Sequence, residues 1–118
     1  MKYLLMIYDN EIARHALPPD QKAVLHAGYI DLVKSLGAAY VGGAPLQPTK
    51  TAKSVRVREG KTQITDGPFA ETREQLGGYF LIEASSYDEA TKIAARMPGA
   101  EAGTIEIRPL ADMPTPTP

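Results

Sequence analysis

One histidine on a helix and one charged loop are the parts of this sequence best equipped to move a proton or hold an anion. The loop gathers Asp66, Glu71 and Glu74 with the guanidinium of Arg73 around Gly67-Pro68, beside Phe69, one of two phenylalanines in the chain. Two carboxylates held close together make one of them a usable acid or base near neutrality. A planar guanidinium grips anionic groups with its fork of donors. Asp66-Gly67-Pro68 is also turn chemistry, because Asp accepts backbone bonds, Gly permits positive φ and Pro fixes its own. Asp66 is therefore expected to shape the loop and line a site at once. Glu71, Glu74, Arg73 and Phe69 are candidate substrate contacts, although a solvated connector with local ion pairs would carry the same residues. His26 is the candidate acid or base, imidazole being the usual proton carrier near pH 7. It falls about 100° round the helix from Leu25, on the flank of an apolar stripe, where a packing role is the commoner one for a lone histidine. His15 sits in a polar connector and is expected to face solvent.

The elements that must position these groups can be read from periodicity. Tyr3, Leu5 and Ile7 alternate with Leu4, Met6 and Tyr8, all apolar, which predicts a strand covered on both faces, ended by Asp9-Asn10. Leu25, Tyr29, Leu32 and Leu36 predict a helix over about residues 18–37, opened by Pro18-Pro19-Asp20 and capped by Gly37. Residues 39–41 read as a short strand and residues 42–48 as loop. Residues 54–58 and 62–65 read as a hairpin turning at Glu59-Gly60, and residues 79–83 as another strand. Ser86 with Glu89 reads as a capping box opening a second helix that Pro98-Gly99 stops. Residues 104–108 form the last strand, with Ile105 and Ile107 inward. With the hairpin set aside, the order is the βαββαβ of a ferredoxin-like α+β fold. Two helices cover one sheet face only, so the doubly apolar first strand predicts a homodimer through the other. A single domain over residues 1–110 is expected, with residues 111–118 a flexible Pro/Thr-rich tail.

Composition narrows the function classes. Thirteen basic and fourteen acidic residues leave a formal charge of −1, which argues against direct nucleic-acid binding through a basic stripe. No apolar run approaches a membrane span, so no membrane partner is expected and the cytoplasm is the expected compartment. The chain has no cysteine and two well-separated histidines, so no metal site is expected. It has no GxGxxG or phosphate-binding glycine loop, and no cofactor is expected.

The run from Asp66-Gly67-Pro68-Phe69 through Gly77-Gly78-Tyr79 resembles the signature of the DGPF group of YCII-related (YciI-like) proteins. Residues 2–8, Gly42-Gly43-Ala44-Pro45-Leu46 and residues 103–109 are similar to the same family, so the resemblance spans about residues 1–110. It implies a dimeric α+β barrel built from two ferredoxin-like sheets. It also implies an active-site pair, with His26 matching a histidine early in the first helix and Asp9 matching an aspartate ending the first strand. An aspartate that accepts from one ring nitrogen would orient the imidazole. On this footing His26 is expected as acid/base, Asp9 as its orienter and Asp66 as a third site residue, all in one cleft with the Asp66–Glu74 loop. The implied activity is general acid/base chemistry on a small organic molecule, of lyase, isomerase or hydrolase type. The alternatives are a non-catalytic ligand-binding or regulatory module, for which the resemblance implies a sigma-factor partner, and a purely structural dimer.

Overall fold

The computed structural model describes residues 1–112; of the tail expected over residues 111–118, residues 113–118 lie outside them. The chain runs β1 (Lys2–Asp9), α1 (Glu11–His15), α2 (Pro19–Leu36), β2 (Tyr40–Pro45), β3 (Lys53–Arg58), β4 (Lys61–Asp66), β5 (Gln75–Glu83), α3 (Tyr87–Ala95), α4 (Gly99–Ala102) and β6 (Thr104–Pro109). Strands β2, β5, β1 and β6 lie side by side in that order, all antiparallel. That is the ferredoxin-like order, with the β3–β4 hairpin inserted as a separate two-stranded sheet.

One face of the four-stranded sheet is sealed by the helices. Tyr3 and Leu5 of β1, Phe80 and Ile82 of β5, Leu32 of α2 and Ala90, Ile93 and Ala94 of α3 form its core, with Met97 just beyond α3. Ile105 and Ile107 pack against the same cluster. They belong to the helix side of the sheet and not to its open face. Leu4, Met6 and Leu81 are half-buried, and Tyr79 and Val41 are exposed.

Several local expectations need correction. Residues 10–17 are not a plain connector. Asn10 caps α1 by accepting from the Ala13 N–H at 3.0 Å, and Glu11 and Arg14 sit at the ends that suit the helix dipole. Residues 42–45 are strand and not loop. Gly43 permits this, because a Cβ there would stand 2.5 Å from the Tyr79 carbonyl oxygen, and its absence lets β2 close on β5. After Pro98 the chain makes one further helical turn, α4. At α3, the Ser86 hydroxyl accepts from the Glu89 N–H at 3.1 Å as a cap should. The Glu89 carboxylate reaches back to the N–H of Ser85 at 2.7 Å, one residue earlier than in a standard box. Gly37 takes the positive φ of 56° that ends α2. Glu59 and Gly60, at φ 54° and 74°, make the paired left-handed turn that matches hairpin twist.

The hairpin leaves the body of the protein. Val55, Val57 and Ile64 on it are each about 60% exposed. The radius of gyration is 16.7 Å, against about 13 Å for a compact chain of roughly this length.

Candidate functional site

Across from α2 the ends of two strands offer small side chains. Gly43, Ala44 and Pro45 of β2, paired with Phe80, Tyr79 and Gly78 of β5, line a gap together with Gly77, while α2 presents Leu25, Tyr29 and Val33. Core stripe and sheet cannot meet across that gap, and a cavity of about 640 Å³ results. Its apolar wall is Phe80, flanked by Tyr40 with ring centres 5.1 Å apart and by Tyr29 at 5.9 Å. Drug-sized ligands occupy cavities of about 300–1,000 Å³.

Asp9 lies at one end of this cavity for a reason that starts in β1. Tyr3, Leu5 and Ile7 point to the helix side, and strand alternation brings Asp9 to the same side one step past the core. The neighbouring strand is bulged at this level: Ile7 pairs with Gly78 and Tyr8 with Leu76, leaving Gly77 as the extra residue. A Cβ on Gly77 would stand 3.2 Å from Arg14 Nη2 and 3.5 Å from Asp9 Oδ1, so glycine keeps both groups clear. Helix α1 supplies Arg14, whose Nε donates to Asp9 Oδ2 at 2.6 Å. That helix is tied down at three points: the Asn10 cap, the Glu11 N–H donated to Gln75 Oε1 at 3.0 Å, and the Glu11 carboxylate accepting from Thr49 N and Oγ1. The Asp9 side chain is 15% exposed, and its Oδ1 is buried without a hydrogen-bond partner among the described residues.

Tyr29 lines the same cavity, its hydroxyl accepting from the Gly99 N–H at 3.0 Å. Burial raises its pKa above the ordinary 10.0; the Gly99 bond opposes the rise, the Asp9 charge adds to it and Arg14 subtracts. The folded state thus holds this proton more tightly than the unfolded chain does. The resulting stabilisation is complete below about pH 10 and is lost as pH climbs through the raised value. Tyr29→Phe is expected to flatten the alkaline limb of stability in urea melts taken at rising pH. A limb as steep in the variant as in the parent would refute the assignment.

His26 lies on the same cavity, exposed at its mouth, with His15, Lys22 and Lys34. Among the described residues the Asp9 carboxylate is paired with Arg14 and not with His26. The structure therefore brings Asp9 and His26 to one cavity without bonding them to each other. It does not bring the Asp66–Glu74 loop there. The hairpin strands pair only with each other and carry Asp66 outward, where its carboxylate accepts from Lys53 Nζ at 2.8 Å in an exposed ion pair. Phe69 is 81% exposed and borders a smaller cavity of about 220 Å³ on the hairpin, with Arg56 and Gln63. Glu71 and Arg73 are exposed, and Glu74 accepts from Thr104 Oγ1 at 2.9 Å, holding the loop to β6. Arg14, Tyr29, Tyr40 and Lys22 are site residues that sequence reasoning did not single out. The cap, acid and base spaced over residues 10–15 are the signal that could have found Arg14.

A ferredoxin-like sheet with a glycine-walled cavity under α2, bounded by an aspartate ending β1, defines the class of protein. The chain belongs to the YCII-related domain family, which it matches over residues 1–114. An uncharacterized protein of Rhizobium meliloti (strain 1021) is 47% identical over 120 residues, covering 94% of this chain and 93% of that one. Among solved structures, the 5-chloro-2-hydroxyhydroquinone dehydrochlorinase of Burkholderia phenoliruptrix AC1100, in complex with 2,5-dihydroxybenzoquinone, is similar with a TM-score of 0.53. The match covers 94% of both chains at 16% identity, a likeness of fold. No helix among the described residues is long and apolar enough to cross a membrane.

Proposed function

We propose that this protein is an acid/base enzyme that binds a small organic molecule in the cavity under α2 and removes a proton from it. The observation that carries this reading is the buried, unpartnered Oδ1 of Asp9 on the cavity wall. Leaving a buried acceptor unpaired costs about 1–3 kcal/mol, so such a group calls for a donor that arrives from elsewhere. A ligand C–H or O–H meets that need. Arg14 holds Oδ2 and so fixes the carboxylate plane, which leaves the Oδ1 lone pairs to accept the proton. His26, exposed at the mouth, would pass it to water. The solved structure of like fold is named a dehydrochlorinase, an activity on a small organic molecule that is compatible with this reading, but its substrate is not carried over. Asp66, Glu71, Glu74, Arg73 and Phe69 would enter such a site only if a second copy delivered them.

The test is deuterium exchange in D2O at the α-carbon of 2-tetralone, a flat apolar carbon acid that fits the cavity. Saturable exchange faster than in protein-free buffer is expected. A rate no faster than buffer, for 2-tetralone and for smaller cyclic ketones alike, would sink the reading.

We also propose that two copies pack through the open face of the sheet. Leu4, Met6, Leu81 and Tyr79 form one contiguous apolar patch there, since Leu4 pairs with Leu81 and Met6 with Tyr79 across β1 and β5. Such patches on a sheet without a covering layer mark interfaces. Met6→Glu is expected to convert a sedimenting dimer to monomer. A parent protein that sediments as a monomer contradicts the proposal.

A further inference from the structure

We infer that the ligand of this cavity is an apolar ring system carrying one negative charge, held at the mouth by Lys22 beside His26. The inference rests on the cavity being a ligand site, and it names what the site selects. The chain as a whole is slightly acidic, at −1. The cavity lining is not. It contains Arg14, Lys22 and Lys34, with His15 and His26, against a single carboxylate, Asp9. Arg14 is already committed to that carboxylate at 2.6 Å. The positive charge left over therefore belongs to the rim, on Lys22 and Lys34 of α2, while the interior is Ile7, Leu25, Val33, Tyr29, Tyr40 and Phe80.

Helix geometry assigns the two lysines different places. Residues 22, 26, 30 and 34 recur every four positions and run along one side of α2, spanning about 18 Å from first to last. One anionic group cannot reach both ends. Lys22 lies in the first turns of α2, and the polypeptide reaches it from β1 and α1, which carry Asp9, Arg14 and His15. Lys34 lies toward Tyr40. An anion at the Lys22–His26 end would leave its ring to run inward along the wall of Phe80, Tyr29 and Tyr40, where an aromatic ligand ring gains further aromatic contacts. A cationic ligand would meet the like charges of Lys22 and Lys34 at the rim, and a purely neutral one would leave the rim unused.

The same arrangement suits the proposed chemistry. Removal of a proton by Asp9 leaves the ligand more negative, and fixed cations in a partly dry site oppose that build-up of charge. The expected ligands are aromatic or bicyclic carboxylates and phenolates.

The test compares 2-naphthoate with 2-naphthalenemethanol, probes of nearly equal shape and different charge, by calorimetric titration of the full chain. At about 0.05 M salt the anion is expected to bind about tenfold tighter or better, and the gap should close near 0.5 M as screening takes hold. Lys22→Ala should weaken naphthoate several-fold and leave the alcohol unchanged. Lys22 is exposed, so the variant is expected to melt with the parent. Equal affinity for the two probes overturns the inference but leaves the cavity and the Asp9 proton step standing. Binding of neither probe overturns it as well. Preference for naphthoate without exchange of 2-tetralone keeps the charge selectivity and removes only the proton transfer.

Discussion

Replacing Asp9 by Asn is expected to slow exchange at the α-carbon of 2-tetralone by about a hundredfold or more, the usual contribution of a positioned general base. Asn keeps the shape of Asp, so the end of β1 and the clearance around Gly77 are preserved. What changes is that the amide has no carboxylate lone pair able to take a proton. Arg14 loses an anionic partner, but its side chain is 33% exposed and can turn to water, so the melting temperature should move by a few degrees only. His26→Ala should cost less, about tenfold, because solvent can replace a proton relay at an exposed mouth. The pattern that defeats the reading is a wild-type rate surviving in Asp9→Asn. A loss in His26→Ala as large as in Asp9→Asn would instead make the imidazole the base.

Much of the frame that places Asp9 can be read directly from the chain. The double alternation of residues 3–8 marks β1 as covered on both faces; that Tyr3, Leu5 and Ile7, with Asp9 next in their series, take the helix side is decided by the fold. The Leu25–Tyr29–Leu32–Leu36 spacing orients α2, and Gly37 ends it as its composition suggests. The limit of such reading appears at Leu25, which belongs to the stripe but lines the cavity instead of filling the core. Whether a helix residue meets a side chain or a void depends on what stands across from it. Here that is Gly43, Gly77 and Gly78, about fifteen to fifty residues further along the chain.

The Asp66–Glu74 loop fails for a different reason. It does turn at Gly67, with a positive φ of 94°, although the Asp66 carboxylate accepts from Lys53 Nζ instead of from the turn's backbone. Its direction, however, is set by the pairing of β3 with β4, which among the described residues form no ladder with the main sheet. Strand pairing between segments is not encoded in the period of either segment alone. Helix α1 was missed because five residues are too few for a periodic signal. It is held by the Asn10 cap, by the Glu11 N–H donated to Gln75, sixty-four residues away, and by the Glu11 carboxylate accepting from Thr49.

Gly103→Ala is expected to cause the largest loss of stability of any change proposed. Gly103 links α4 to β6, and a Cβ built there falls inside contact distance of the Tyr8 carbonyl oxygen and 3.1 Å from Asp9 Cβ. The obstructing atom is backbone in the central pair of the sheet, and Tyr8 is itself paired to Thr104 across β1 and β6. Neither strand can yield without breaking that ladder, so overpacking should cost at least about 1–3 kcal/mol. A domain of this size then loses on the order of 10 °C in melting temperature. Gly77→Ala provides the contrast. Its new methyl would press on the tip of the Arg14 guanidinium, which can swing away, so stability should stay within about 1 kcal/mol of the parent. Because that tip is part of the pair holding Asp9 Oδ2, Gly77→Ala should slow exchange while leaving the melt nearly intact. If the two alanine variants melt alike, the close approach of β6 to the end of β1 is not what demands glycine at position 103.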